Sequence, residues 1–475
     1  MASFGPLGVV RADIGAGRRW LRLSISETVS GFSLLVFDPR GRLRGQYWGK
    51  QAAEQLVITT EAGSSSCATV PGPILEGEWR VEVFGVADSH PLPWSVTVEC
   101  GTGPAPAGTL PPVGAVPWTQ GLTAVPVLDR ERLARVVRRT RAWYRGDFHA
   151  HTRASDGHQS AEALTGQASA RGLDFLAVTE HNLLSTGHPA ADVLIVPGTE
   201  VTSPAGHFNA LGIRRWLDWR PQAGDGGCAT GPGMTRLMRD TRAQGGVVSV
   251  NHPLLRPWAW DWSETPLDAI DALEIWNDPT YPPNADVLDA TLALWTRLWD
   301  DGHRVVALGG SDTHLAPSDR YVPGGPPSVV GDPWTAVLAD GLSVSAVVDA
   351  VRAGRVYISR GPLLQVSAAV DGRRWPPGAS LTAALAGRPP GRTRVRLAAR
   401  VRQAPAGASV RWVGNGGALL GGGEVECVWD AGTWRWARAE VRDADGALLA
   451  VSNPVSAGDG ARRLRVWEDL LAGAP

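Results

Sequence analysis

Ten histidines occur in the 475 residues, and nine of them (His149, His151, His158, His181, His188, His207, His252, His303 and His314) fall between positions 149 and 314; His90 alone lies outside. Imidazole is the commonest protein ligand for metals, so this concentration points to a site. Two pairs have the spacing one ion needs. In DFHAHTRASDGH, His149 and His151 stand two apart after an apolar run, and in ALGGSDTH Asp312 and His314 do the same. A period of two puts both side chains of a pair on one face of an extended backbone. Gly309 and Gly310 let the second pair's chain approach closely. His181 closes AVTEH, Glu200 closes IVPGTE and His252 closes VVSVNH. One strand-end histidine is adequately explained as a hydrogen-bonded polar group, and Asp156 in SDG as a turn cap. The joint occurrence of both pairs with His181, Glu200, His207 and His252 is not so explained, and it predicts a metal centre.

The elements that must position these groups are short apolar strands alternating with helices. DFLAVTEH, VLIVPGTE, GHFNALG, GVVSVNHP, DALEIWND, RVVALGGSDTH and TAVLA read as strands. Between them, SAEALTGQASARG carries Ser160 as N-cap and Gly172 as its stop, GMTRLMRDTRAQGG ends at Gly245, and NADVLDATLALWTRLWDDG and SVSAVVDAVRAG are two further helices. This alternation over residues 143–361 predicts a parallel α/β sheet, with the ligands on the rim past the strands' carboxyl ends. Residues 1–100 show short alternating runs (WLRLSIS, SLLVFDP, QLVITT, WRVEVFGV, WSVTVEC) that predict an antiparallel sandwich. Residues 101–142 open with a Pro/Gly-rich tract and read as a linker. Residues 362–475 return to strands and predict an immunoglobulin-like β-domain ending in an amphipathic tail.

Composition bounds the function. With 46 basic and 47 acidic residues the net charge is -1, so no field points toward nucleic acid or an anionic membrane. Neither an apolar run long enough to cross a bilayer nor a leader pattern appears at the start, and a cytoplasmic location is the expectation. Cys67, Cys100, Cys228 and Cys427 are too sparse for a disulfide framework. Lys50 is the only lysine; the other basic residues are arginine, a bias spread over every segment. The 21 tryptophans are equally scattered and read as core fillers.

In order and spacing, FHAHT with SDG, TEHN, PGTE, GHFNALG, VNHP and GGSDTH resemble the signature of the PHP (polymerase and histidinol phosphatase) superfamily of metal-dependent hydrolases. Within it, WYRGDFHAHTRASDG, GLDFLAVTEHN, FDPRG, EGEW and LLAVSNP look most like the carbaryl-hydrolase-like CehA/McbA branch. The resemblance covers about residues 143–361, with weaker echoes in both flanks. It implies an α/β fold, a distorted (β/α)7 barrel flanked by the two β-domains, holding two or three divalent ions. By resemblance the ligands are His149, His151, Asp156, His181, Glu200, His207, His252, Asp312 and His314. Glu180 stands where many members have Asp, which bears on ligand orientation rather than on metal binding. His158, His188 and His303 match no ligand position, and His158 is the one expected nearest to substrate.

Nitrogen and carboxylate donors without thiolate suit Zn, Mn or Fe. Three donors per ion would leave open positions for water and substrate. Glu200, with two oxygens, is the candidate bridge between ions, and a metal-bridged hydroxide is the expected nucleophile. Asp312 or His314 would move the proton to the leaving group. Arg153, Asn182, Asn251, Asn277 and Arg360 follow motifs or strands and are weaker candidates for substrate contact. The leading expectation is hydrolysis of an ester, carbamate or amide in a small molecule. A phosphoesterase is the alternative on the same site, and a binding scaffold with structural metals is a third reading. The flanking domains are expected only to cover the barrel and shape its cleft.

Overall fold

The computed structural model describes residues 3–472 apart from 28, 30, 51, 88–93, 115–116, 418, 430–433 and 459. His90 lies outside the described residues, as does the side chain of Cys427; Cys67, Cys100 and Cys228 are free thiols.

Strict alternation of buried and open positions along Trp20–Glu27 marks a strand with one face in a core. It pairs antiparallel with Glu54–Thr59 and Trp94–Gly101, and this three-stranded sheet faces a four-stranded one ordered Ser3–Ile14, Gly77–Ala87, Ser33–Phe37, Leu43–Trp48. Leu23, Leu34, Leu56, Trp79 and Val83 fill the space between them. The Pro/Gly-rich stretch that follows is docked against neighbours: Trp118 N donates to Thr186 O at 2.8 Å, and Leu128 N to Arg214 O at 2.7 Å.

The central sheet is mixed. Ala142–Asp147, Phe175–Val178 and Leu194–Ser203 run parallel, as do Val247–Val250, Ala272–Trp276 and Val306–Gly309. Between the two sets, Leu194–Ser203 turns back through a hairpin into Gly206–Leu211, which is antiparallel to both neighbours. The reason is local. SPAG is a tight turn in which Ser203 Oγ donates to Gly206 O at 2.8 Å and accepts from Ala205 N at 3.2 Å, leaving no room for a crossover helix. The helices pack where expected: Ala161–Ala170 is capped by Ser160, Gly231–Ala243 by Thr230, and Pro282–Asp301 stops at Gly302 (φ +95°). Past the strand ends, Ala150 bridges Thr313 and Asp312 N donates to His149 O at 2.8 Å, which brings the first and last parallel strands' exits together.

Beyond Ala142–Asp147 the same sheet continues through Trp334–Ala339 and Val356–Ser359 into Leu448–Ser452, Trp436–Arg442, Ser409–Gly414 and Leu419–Gly421. The carboxy-terminal strands therefore extend the central sheet, while Leu363–Val370, Thr393–Arg402, Arg373–Trp375 and Glu424–Trp429 form a separate sheet beside it. Pairing of Tyr357 with Ser452 crosses the compositional border near residue 361. No helix among the described residues is long and apolar enough to cross a membrane.

Candidate metal centre

Glu200 is the hub. It sits inside the 194–203 strand, three residues before its end, opposite Asn209, while Thr202 faces His207. Residues two apart share a face, so Glu200 and His207 point to the same side of the hairpin. Glu200 Oε1 lies 3.1 Å from His207 Nδ1, 3.4 Å from His149 Nε2 and 3.5 Å from His252 Nε2; Oε2 lies 2.9 Å from His181 Nδ1 and 3.4 Å from His151 Nε2. Its two oxygens thus address different imidazoles.

All nine residues that the resemblance singles out converge. His151, Asp156, His181 and His314 form one group whose donor atoms lie within 4.8 Å of one another, His149, His151 and Asp312 a second, and His181, Glu200 and His207 a third. His252 joins through Glu200. Asp312 Oδ1 is 3.1 Å from both His149 Nε2 and His151 Nε2, and Asp156 links His181 (3.3 Å) with His314 (3.4 Å). The ring centroids of His151 and His314 are 4.2 Å apart.

Several donors are buried without a hydrogen-bond partner: His149 Nε2, His151 Nε2, Asp156 Oδ1, Glu200 Oε2, His252 Nδ1 and Asp312 Oδ1. Orphaned buried polar atoms are costly, and all of these but His252 Nδ1 belong to residues of the three donor groups. This donor set fits divalent cations. Backbone strain supports the same reading, since His252 (φ +28°) and Asp312 (φ +45°) are held in the left-handed region. The Asp312–His314 pair is therefore not on extended backbone, although both side chains still reach the cluster. Gly310 is required: a Cβ there would lie 2.4 Å from His149 Cβ and 2.9 Å from Glu274 Oε1.

The charges are tightly balanced. Burial alone would lower the His149 pKa, but Asp312, Glu274 and Glu200 outweigh it and raise it well above the usual range; His181 is raised the same way against burial by Asp156 and Glu200. His151 is pushed down to about 3 by burial and by the neighbouring His314 and His181. Against burial, His149, His181 and His207 hold Glu200 well below the carboxylate range, so it stays ionised.

Sequence reasoning missed the groups behind the ligands. Glu274, the middle residue of Ala272–Trp276, has Oε1 3.0 Å from His149 Nδ1, while Oε2 accepts from His252 N and Asn277 Nδ2, both at 3.0 Å. Its one signal was a carboxylate, the Glu of DALEIWND, in the middle of an apolar strand. Carboxylates that orient a ligating imidazole matter at the level of roughly 10- to 100-fold, so Glu274→Gln is expected to weaken metal affinity or turnover by that factor with the fold intact. Metal titration of the purified variant checks this; an unchanged affinity and rate would reduce Glu274 to packing. Asp147 is a second such group: its Oδ1 accepts from His149 N and Ser311 N at 3.0 Å.

The weaker candidates divide. Asn251 Nδ2 donates to Glu200 Oε1 at 2.7 Å and Asn277 Nδ2 to Asp312 Oδ2 at 3.1 Å, so both hold ligands. Asn182 pins the hairpin through Thr202 N and O, both at 3.0 Å. Arg360 is an ion pair with Asp332 at 2.7 Å, and neither it nor Arg153 lines the cleft. His158 does not touch the cleft either: it is turned to Asp319, 3.2 Å away, because the 156–158 turn carries only Asp156 inward. His188 packs on Trp118, and His303 bonds Leu464 O at 3.0 Å. Glu180 faces away from the cluster, accepting from Thr152 N and Ser155 N at 3.1 Å and from both hydroxyls, and so shapes the loop that carries Asp156.

A cleft of about 610 Å³ opens over the cluster. One wall comes from the amino-terminal sandwich (Phe4, Trp48, Lys50, Val86) and the other from the loops bearing Trp258, Tyr281 and Tyr321. Trp48 lies on His181, centroid to centroid 5.0 Å, and the sandwich is fastened there by paired hydrogen bonds between the Gln46 amide and the Leu184 backbone at 3.0 and 3.1 Å.

No family profile matches the chain, and no curated protein does. Among solved structures it is similar to a two-domain protein from Bacteroides vulgatus named for a PHP-like metal-dependent phosphoesterase, at 14% identity over 70% of this chain and 98% of that one, TM-score 0.34. It is also similar to a protein from Bifidobacterium adolescentis named as a metal-dependent phosphoesterase (17% identity, 39% and 92% covered, TM-score 0.25) and to an amidohydrolase from Chromobacterium violaceum (18% identity, 37% and 89% covered, TM-score 0.24).

Proposed function

We propose that this chain is a PHP-type metal-dependent hydrolase, nearest to the carbaryl-hydrolase-like branch, that cleaves an ester, carbamate or amide bond of a small molecule. His149, His151, Asp156, His181, Glu200, His207, His252, Asp312 and His314 would hold two or three divalent ions of zinc, manganese or iron. When bound, such ions supply Lewis-acid polarisation of a carbonyl oxygen and acidify a water.

The chain's own residues do the rest. Glu200 presents one oxygen to each half of the imidazole set and keeps the halves in register. Trp48, Trp258, Tyr281 and Tyr321 exclude water and stack on a planar substrate. His314, whose side chain is 27% exposed at the cleft edge, holds Nδ1 2.8 Å from the carbonyl of Asp312, which leaves Nε2 facing Asp156 as its donor atom; Asp312, on the same edge, is then the group placed to move the proton to the leaving group.

The observation that carries the carbon-centred reading is the cleft wall. Phe4, Trp48, Val86, Trp258, Tyr281 and Tyr321 make it largely aromatic and apolar, and among the described residues it holds a single basic side chain outside the imidazole cluster, Lys50, and no arginine, although arginine dominates the chain's basic residues. Sites built for phosphate esters favour the guanidinium fork. The test is a panel: protein loaded with zinc, manganese or iron is assayed on p-nitrophenyl acetate, an aryl methylcarbamate and bis-p-nitrophenyl phosphate. Turnover of the acetate or carbamate is expected. Hydrolysis confined to the phosphodiester would replace this reading with the phosphoesterase one.

A further inference from the structure

The chain's only lysine lines the cleft of the metal centre, and it is delivered there by the other module. Lys50 follows the Leu43–Trp48 strand of the amino-terminal sandwich by one glycine. Gly49 fixes that exit: its N donates to Phe32 O at 2.6 Å, and a Cβ would lie 2.7 Å from Glu27 Oε1 and 2.8 Å from Phe32 Cβ, so no other residue fits without a shift. The ammonium is held beside the Asp156 loop, donating to the carbonyl of Arg153, with its side chain only 14% exposed. Among the described residues its ion-pair carboxylate is Glu54, whose Oε1 stands 3.8 Å off, beyond hydrogen-bond reach, and Glu180 acts on it only through space. Burial lowers its pKa despite Glu54.

A desolvated cation whose nearest carboxylates make no hydrogen bond to it is only partly compensated, and a further anion would use its remaining charge. Everything else charged along the cleft is a carboxylate or belongs to the imidazole cluster. Lysine is a compact point charge, whereas arginine needs room for a planar fork. In a chain whose remaining basic residues are all arginine, this position keeps the compact cation.

We infer that Lys50 is a specificity-determining residue: its ammonium receives a carboxylate of the substrate, so that the preferred molecules carry one anionic group on the sandwich side of the scissile bond and a planar apolar group on the Trp258–Tyr281 side. This rests on the hydrolase reading above, and the test separates the two. Metal-loaded wild type, Lys50→Met and Lys50→Arg are compared on p-nitrophenyl acetate and on mono-p-nitrophenyl succinate. Loss of a charged hydrogen bond is expected to cut kcat/KM for the succinate roughly tenfold or more, mainly through KM, with less than about twofold change for the acetate and partial recovery in Lys50→Arg. Equal losses on both esters would make Lys50 only a clamp on the Asp156 loop and overturn the inference. A second readout needs no turnover. Because Lys50 carries the sole ε-amine, an amine-selective acylating reagent followed by peptide mass spectrometry reports on it alone; succinate should protect it severalfold and succinamide should not. Absence of that difference overturns the inference even if the esters are cleaved, whereas protection without cleavage of any ester sustains it and removes the hydrolase reading.

Discussion

Glu200→Gln is expected to lose about one or more bound ions per chain and to lower turnover on the order of a thousandfold, equivalent to ~4 kcal/mol of transition-state stabilisation. The substitution is nearly isosteric and keeps the contact from Asn251, so the 194–203 hairpin should persist. What disappears is the negative charge that five imidazoles face at 2.9 to 3.5 Å. An amide offers one acceptor oxygen where the carboxylate offers two, so one half of the imidazole set must face an N–H donor. Elemental analysis, circular dichroism and the ester assay on the same preparation decide the matter. Full metal content with full activity would show that Glu200 is no ligand, and the reading of the centre would fall with it.

Chelation gives the second large effect. Without ions, His149 Nε2, His151 Nε2, Glu200 Oε2 and Asp312 Oδ1 are buried without hydrogen-bond partners, on strand exits held by the Ala150–Thr313 bridge and by backbone bonds such as those of Asp312 N to His149 O and His151 N to Thr313 O. A ligand present at about a thousand times its Kd stabilises the native state by ~4 kcal/mol, which for a domain of this size corresponds to about 10 °C in Tm. The chelated protein is therefore expected to melt about 10 °C lower, with activity abolished and both restored by adding back metal. Chelation that leaves hydrolysis intact would exclude metal-dependent chemistry. Loss of the fold in a protein that cleaves nothing on the panel would favour structural metals in a scaffold.

Much of this centre was legible in the sequence because its donors come in short motifs whose order is unmistakable. FHAH, TEH, PGTE, VNHP and GGSDTH each carry a candidate donor within or just past a strand, and the fold gathers all of them. What stayed hidden depended on partners remote in sequence. Glu274 acquires its role only because His149, 125 positions earlier, turns Nδ1 toward it. The hairpin at Ser203–Gly206 was obscured because apolar strands read alike whether parallel or antiparallel, and the turn residues alone distinguished them. His158 and Arg360 looked suitable by position, yet Asp319 and Asp332 claim them, and nothing local announces those pairings. The cleft wall was the hardest part: Trp48 and Lys50 lie more than a hundred residues from Asp156, in a module that carries no ligand of its own.

The uninterrupted ladder from Ala142–Asp147 through Val356–Ser359 to Leu448–Ser452 has a mechanical corollary. Hinge motion between the ligand-bearing half and the carboxy-terminal half would have to tear a row of main-chain bonds, so those halves must travel as one rigid slab. On the opposite flank, the sandwich is moored at Trp48 by side-chain contacts and the Gln46–Leu184 amide pair. If the cleft opens for a guest, the motion therefore belongs to that mooring, at the edge of a domain whose described residues supply no member of the donor cluster.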